Sequence, residues 1–160
     1  RINRDNFVWF SSEKNRFVQG SGSHPVEMGI CVYQFPYEDQ VQLSTKYLNA
    51  IRDSNLKENV KGENNSYMIT EYMQDFQPIG KEININDTYG KIIRGRYTFE
   101  GDFIAGGSFI SLAFVHPTTQ MVVNLYAFIY APKFDKREYI RQLEAILYSS
   151  YPINPAQKNE

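Results

Sequence analysis

The sequence is short of the residues that staple or anchor a chain. It has one cysteine, Cys31, in 160 residues, so no disulfide can close within it. Its two histidines, His24 and His116, stand far apart in sequence, without the close spacing that a zinc-finger type of site needs. No apolar run approaches the roughly 18 residues of a membrane-spanning helix. The longest candidate, Met121 to Ala131, is broken by Asn124 and reads as a strand. Charge of one sign is lacking as well. Seventeen Lys and Arg against 18 Asp and Glu leave a formal charge of −1, which argues against a chain built to coat nucleic acid. The sequence opens at Arg1 without a charged-then-apolar leader, so any targeting peptide is expected to lie outside it. Cys31 has no long apolar segment ahead of it. It is expected to be a small apolar residue on a buried strand, not a lipid acceptor.

What is present is the composition of a globular domain, 42% hydrophobic and 22% charged. The length suits one domain, expected over residues 1–151, with a polar tail at 152–160. Aromatic residues reach 15%, with 12 Tyr and 11 Phe but a single Trp. So many rings should fill the core and leave some tyrosines at the surface, where a ring with a polar tip suits binding.

Periodicity gives the elements. Phe7 to Phe10 reads as a short strand that Arg16 to Gln19 would continue after a polar turn at Ser11 to Asn15. Gly20 to Ser23 reads as a flexible loop, ended by His24-Pro25. Val26 to Phe35 alternates, with Val26, Met28, Ile30 and Val32 on one face and Gly29, Cys31, Tyr33 and Phe35 on the other. Gln40 to about Asn59 reads as a helix capped by Asp39. Leu43, Tyr47, Leu48 and Ile51 face inward, and Lys46, Asn49, Arg52 and Asp53 face away. Five strands follow: Tyr67 to Met73, Lys81 to Ile85, Gly90 to Phe99, Ser108 to His116 and Met121 to Tyr130. Turns at Pro78-Ile79-Gly80, Asn86-Asp87, Gly101-Asp102 and Pro117-Thr118-Thr119 separate them. Short links leave no room for crossover helices, so the last three strands should form an antiparallel meander. A second helix runs from Lys136 to about Ser150, with Asp135 and Glu138 at capping-box spacing.

The strand Ser108 to His116 is apolar on both sides. Ile110, Leu112 and Phe114 oppose Phe109, Ala113 and Val115. Strands greasy on both sides need cover on both sides. The expected fold is α+β, in the order ββαβββββα: an antiparallel sheet with two amphipathic helices, on one face or as a sandwich with one on each.

The constellations that carry chemistry are few. Lys133, Lys136 and Arg137 form the densest basic cluster. Cations in a first helical turn run against the macrodipole, a pattern that can mark contact with an anion or an acidic partner. The plainer reading is a solvated turn offset by Glu138 and Arg141. Arg94 and Arg96 offer a second basic site, or a wet strand face paired to carboxylates. Trp9, Tyr33, Tyr37 and Tyr72 are candidates for an aromatic platform that stacks on a sugar or peptide, although such rings are more often core or rim. Gly101 to Gly107 lacks the G-K-S/T ending of a phosphate loop and reads as a hairpin connection. Glu38-Asp39 belong to a helix start, Glu100 and Asp102 flank a turn, and His116 closes a strand with no acid to orient it. No metal site, cofactor or catalytic set is expected, and the chain is read as a non-enzyme.

The segments GDFIAGGSFISLAF and AFIYAPKFDKREYIRQLEAILYS are similar to the end of a family of uncharacterised bacterial lipoproteins known only as a domain of unknown function. FPYED, IRDSNLKENV and GENNSYMITEY resemble its earlier blocks, so the likeness covers about Phe7 to Ser150. The resemblance implies a cell-envelope location on the periplasmic side, with membrane attachment only through a lipidated cysteine upstream of this sequence. It also implies a partner that is an envelope protein or cell-wall component. The alternative from the residues is a module that binds a small molecule or glycan through surface aromatics.

Overall fold

The computed structural model describes residues 1–85, 88–101 and 103–150. The expected turn at Asn86-Asp87, Asp102 of the glycine-rich turn and the tail at 152–160 lie outside the described residues. Eight strands build one antiparallel sheet: β1 (Ile2–Arg4), β2 (Phe7–Val18), β3 (Gly22–Pro36), β4 (Tyr67–Thr70), β5 (Ile79–Ile85), β6 (Thr88–Glu100), β7 (Gly106–Val115) and β8 (Met121–Tyr130). The helices are α1 (Thr45–Asn59) and α2 (Arg137–Ser149). The strand order is β1-β2-β3-β8-β7-β6-β4, and β5 also pairs with β6. The α+β class and the meander β6-β7-β8 are as the sequence predicts.

Each helix covers one face. Leu48 and Leu56 of α1 pack with Phe109, Ala113, Tyr126 and Phe128. Leu143 and Leu147 of α2 pack with Ile110, Leu112, Phe114 and Leu125. The alternation along β7 therefore feeds two cores through one strand, which is why it is apolar on both sides. Two close approaches tighten the α1 face. Gly29 pairs with Phe128 and Gly95 with Phe109, and in each pair the ring occupies the space of the missing Cβ. A Cβ on Gly29 would sit 2.1 Å from Phe128 Cε1, so only glycine fits there.

Four expectations are corrected. The order gains β1, three residues too short to show a period, folded back onto β2 by Asn6 at φ 59°. Ser11 to Asn15 is not a turn, because β2 runs unbroken from Phe7 to Val18 and pairs with β3 throughout. Its polarity has another cause. β2 is the outermost strand past Trp9, and the pairing of β8 with β3 stops at Glu27↔Tyr130, so Ser11 to Phe17 are exposed on both sides of their strand. Gly22 to Pro25 likewise belong to β3, and the turn narrows to Gln19–Ser21 with Gly20 at φ 82°. Pro25 is tolerated because no third strand needs its missing N–H. Strand boundaries also move: β4 stops at Thr70 and β5 starts at Ile79.

The first helix is also corrected. Asp39 caps a short 3-10 turn, Gln40–Leu43, and Ser44 caps α1 through Oγ, which accepts from Tyr47 N. Asn49 and Arg52, expected outside, are buried against the sheet at 1% exposure each. Leu48, Arg52 and Leu56 stand four residues apart, so Arg52 lies in the middle of the inward stripe.

Candidate functional site

α1 covers only part of its face. It ends at Asn59, and beyond it the chain from Val60 to Glu63 and side chains of the sheet enclose a hollow. There β2 contributes Trp9, β3 Glu27, β4 Met68, and β6 Tyr97 and Phe99. The β6–β7 connection adds Phe103. With Ile2 and Val60 most of these line a groove of about 420 Å³, rimmed by Arg1, Lys61 and Glu63. An adjoining recess of about 70 Å³ is lined by Glu27, Met68, Tyr97, Phe99, Phe103, Ala105 and Tyr130. Its rings stand edge to face. Tyr97 and Phe99 lie 6.1 Å apart at 71°, and Phe99 and Phe103 lie 5.1 Å apart at 90°. Trp9 stacks on Phe128 at 5.0 Å and 17°, which fixes the outer wall.

Among the described residues Glu27 is the only charged one lining the recess. It is half-buried, with Tyr130 opposite on β8 and Glu13 opposite on β2. Burial pushes its carboxyl above the usual range. The like charge of Glu13 pushes it further, and a hydrogen bond from Ser11 pulls it partly back. Among the described residues, no lysine or arginine forms an ion pair with it.

A second polar cluster lies beneath α1. Arg52 Nη2 donates to Asp53 Oδ1 at 2.7 Å, and Asp53 Oδ2 accepts from Thr70 N at 2.9 Å and Thr70 Oγ1 at 2.7 Å. The guanidinium lies 4.0 Å from the Phe109 ring centroid and 5.0 Å from that of Tyr126. This cluster ties α1 to β4; Arg52 and Thr70 are buried, and the Asp53 side chain is 22% exposed. Burial raises the Cys31 thiol and the Tyr33 phenol well above their ordinary values, against the opposing pull of Arg52, so Cys31 is no ready nucleophile. Tyr33 and Asn124 face each other in register, and the Tyr33 hydroxyl and the Asn124 side-chain amide have no hydrogen-bond partner in the structure.

The residues singled out from sequence fall in different places. Lys133 and Arg137 are exposed at the start of α2, and Lys136 is half-buried with Nζ 3.5 Å from Phe134 O. Asp135 accepts from Arg137 N at 3.0 Å. Glu138 does not reach back to complete a capping box; it pairs with Arg141 at 3.2 Å. Arg94 pairs with Glu144 of α2. Arg96 pairs with Glu71 at 2.9 Å and lies 5.5 Å from the Phe76 ring centroid. Different elements thus engage Arg94 and Arg96. Trp9 and Tyr33 are buried, Tyr37 is half-buried, and Tyr72 is exposed, accepting from Asn49 Nδ2 at 3.3 Å. The four do not line one surface, but Trp9 does line the groove. His116 Nδ1 accepts from Thr118 N and Thr119 N at 3.2 Å each, a turn cap. Ser21 Oγ and His24 Nε2 lie 2.7 Å apart near the exposed tip of the ribbon, away from any cavity wall described here.

Sequence reasoning missed Glu27, Met68, Tyr97, Phe99, Phe103 and Tyr130. A signal existed for Glu27. Extending the Gly29, Cys31, Tyr33 face back by two residues reaches this carboxylate, on the side that feeds the α1 core. Among the described residues no group of three or more His, Cys, Asp and Glu is placed to hold a metal ion. Among them, too, no helix is long and apolar enough to cross a membrane.

The fold and the groove define a curled antiparallel sheet, with a helix on each face and an aromatic hollow where one helix stops. The chain belongs to the family described as Domain of unknown function (DUF4837), whose model matches residues 1–149. Among solved structures it is similar to a Pseudomonas aeruginosa protein of unknown function, PA94. The two share 11% identity, at a TM-score of 0.47, over 92% of this chain and 83% of that one. No curated protein matches.

Proposed function

We propose that this domain is a non-catalytic binding module whose ligand is a small molecule seated in the groove between Trp9, Met68, Phe99 and Phe103. The observation that carries this reading is a hollow of about 420 Å³, walled by aromatic and aliphatic side chains, with a single half-buried carboxylate at its inner end. A mostly apolar cleft with few polar groups is the usual form of a small-molecule site. Trp9, the sole tryptophan, reports on it directly. Titration with a panel of aryl glycosides and aryl amines is expected to change Trp9 emission saturably and to shift the Met68 methyl resonance. Gly62→Trp, which places a bulky side chain at the wall of the groove, is expected to abolish the response. A panel that leaves both signals unmoved overturns the reading.

A second reading rests on the other face. There α2 lies over β7 and β8 and leaves an apolar depression of about 230 Å³ lined by Phe10, Met28, Ile30, Leu143 and Ile146. Phe10 and Ile146 are 46% and 45% exposed. Such a patch suits a protein partner. The likeness of the YAPKFDKREYIRQLEAILYS block to envelope lipoproteins supports an envelope protein or cell-wall component as that partner. Phe10→Glu with Ile146→Glu would then abolish capture of such a partner by the full-length protein, with Lys133, Lys136 and Arg137 available for its acidic groups.

A further inference from the structure

We propose that the inner recess takes a methylated ammonium group, held against the faces of Tyr97, Phe99, Phe103 and Tyr130 with Glu27 as its counter-charge. This inference rests on the groove being a ligand site and names the chemistry of its deepest part. The recess, about 70 Å³, suits a compact head group, and the groove of about 420 Å³ beside it leaves room for the rest of the molecule.

Charge selects the occupant first. Among the described residues Glu27 alone in the lining is charged, its partner on β2 is Glu13, and no described lysine or arginine pairs with it. An anion would meet two carboxylates. A neutral apolar group would leave the half-buried carboxylate without a partner of opposite charge and take away its water. A cation gives it one.

The wall chemistry then selects the kind of cation. A metal ion or a primary ammonium needs several oxygen acceptors to replace its hydration. Besides the Glu27 carboxylate the recess offers two phenolic oxygens, on Tyr97, whose hydroxyl donates to Ile129 O, and on Tyr130; the rest is ring carbon, the Met68 thioether and the Ala105 methyl, too few oxygens for a metal ion's shell. A methylated ammonium carries its charge on carbon-bound hydrogens and has little or no N–H to satisfy. Aromatic faces attract such a charge through their quadrupole. Successive rings stand at 71° and 90°, so their faces point in different directions, as the walls of a box do. The carboxylate's own position supports the same occupant. Burial and Glu13 both raise its proton affinity, and a bound cation would reverse that.

The test uses choline and dimethylbutanol, the neutral analogue in which carbon replaces the quaternary nitrogen, titrated into the full chain at neutral pH. Trp9 emission and the Met68 methyl resonance are the readouts. Choline is expected to bind saturably and about tenfold or more tightly than dimethylbutanol. Glu27→Gln is expected to erase that difference while leaving dimethylbutanol binding intact, which also shows that the variant is folded. Choline binding is expected to weaken on acidification as Glu27 takes up its proton. Equal affinity for the two compounds, or choline binding indifferent to Glu27→Gln, overturns the ammonium assignment and leaves the groove reading standing. If neither compound binds but the aryl panel does, the ammonium assignment alone falls. If nothing binds, both fall.

Discussion

The guanidinium of Arg52 lies 4.0 Å from the centre of the Phe109 ring, pressed between helix and sheet at 1% exposure. A buried cation is costly unless paired, and here Asp53, Thr70 and two rings share it. Arg52→Met leaves Asp53 with Thr70 alone and is expected to cost about 2–3 kcal/mol, less than breaking a fully buried pair because Asp53 is partly exposed. Urea denaturation checks this. Arg52→Met combined with Asp53→Asn should lose less than the sum of the single changes, because the second removes the stranded charge.

Gly29 and Phe128 form a second dependent pair. Gly29→Ala drives a methyl into the ring and toward Phe10 O, and is expected to destabilise by about 1–3 kcal/mol. Phe128→Ala leaves a cavity beside Trp9 and is expected to cost about 3–5 kcal/mol. The double variant should be sub-additive, since the smaller residue makes room for the new methyl. Thermal unfolding of the four proteins gives the coupling.

Glu27 is held in the fold at some expense, and the sign of the pH effect follows. Its folded carboxyl keeps a proton to higher pH than the unfolded one. Between those two values the folded state binds more protons, so stability falls as pH rises through that window. Glu27→Gln is therefore expected to stabilise the domain above the window, with the gain vanishing below it. The gain should stay under about 1 kcal/mol, because water screens a half-exposed group. A substitution that stabilises the fold while weakening choline binding separates a ligand contact from a structural residue.

Arg16 fastens the ribbon to α2. Its guanidinium lies 5.0 Å from the Phe134 ring centroid and 5.8 Å from that of Tyr139, and Nη1 donates to the Tyr139 hydroxyl. Arg16→Ala is expected to speed amide exchange in the outer ribbon, Lys14 to Val26. Global stability should drop by only about 0.5–1 kcal/mol, because the contact is exposed.

The architecture was legible where the pattern was strong. The alternation in β7 and β8 specified two cores, and the structure places Ile110 and Leu112 in one and Phe109 and Ala113 in the other. It was misleading where two-sided wetting imitated a turn, at Ser11 to Asn15. It failed at Arg52, where charge type argued for solvent and helical spacing argued for the core. The groove was nearly invisible. Trp9, Glu27, Met68, Phe99 and Phe103 come from four strands and a loop, and their meeting depends on where α1 stops, a length that no local pattern marks.

Past Trp9 the outer rim of β2 has no neighbouring strand among the described residues, since β1 pairs only with Phe7 to Trp9. Such a rim is a template for another chain's backbone. The mixed charges of Glu13, Lys14 and Arg16 work as spacers there, keeping copies of the molecule from zipping together rim to rim. The wetness that disguised this strand as a turn thus also disfavours edge-to-edge growth of the sheet.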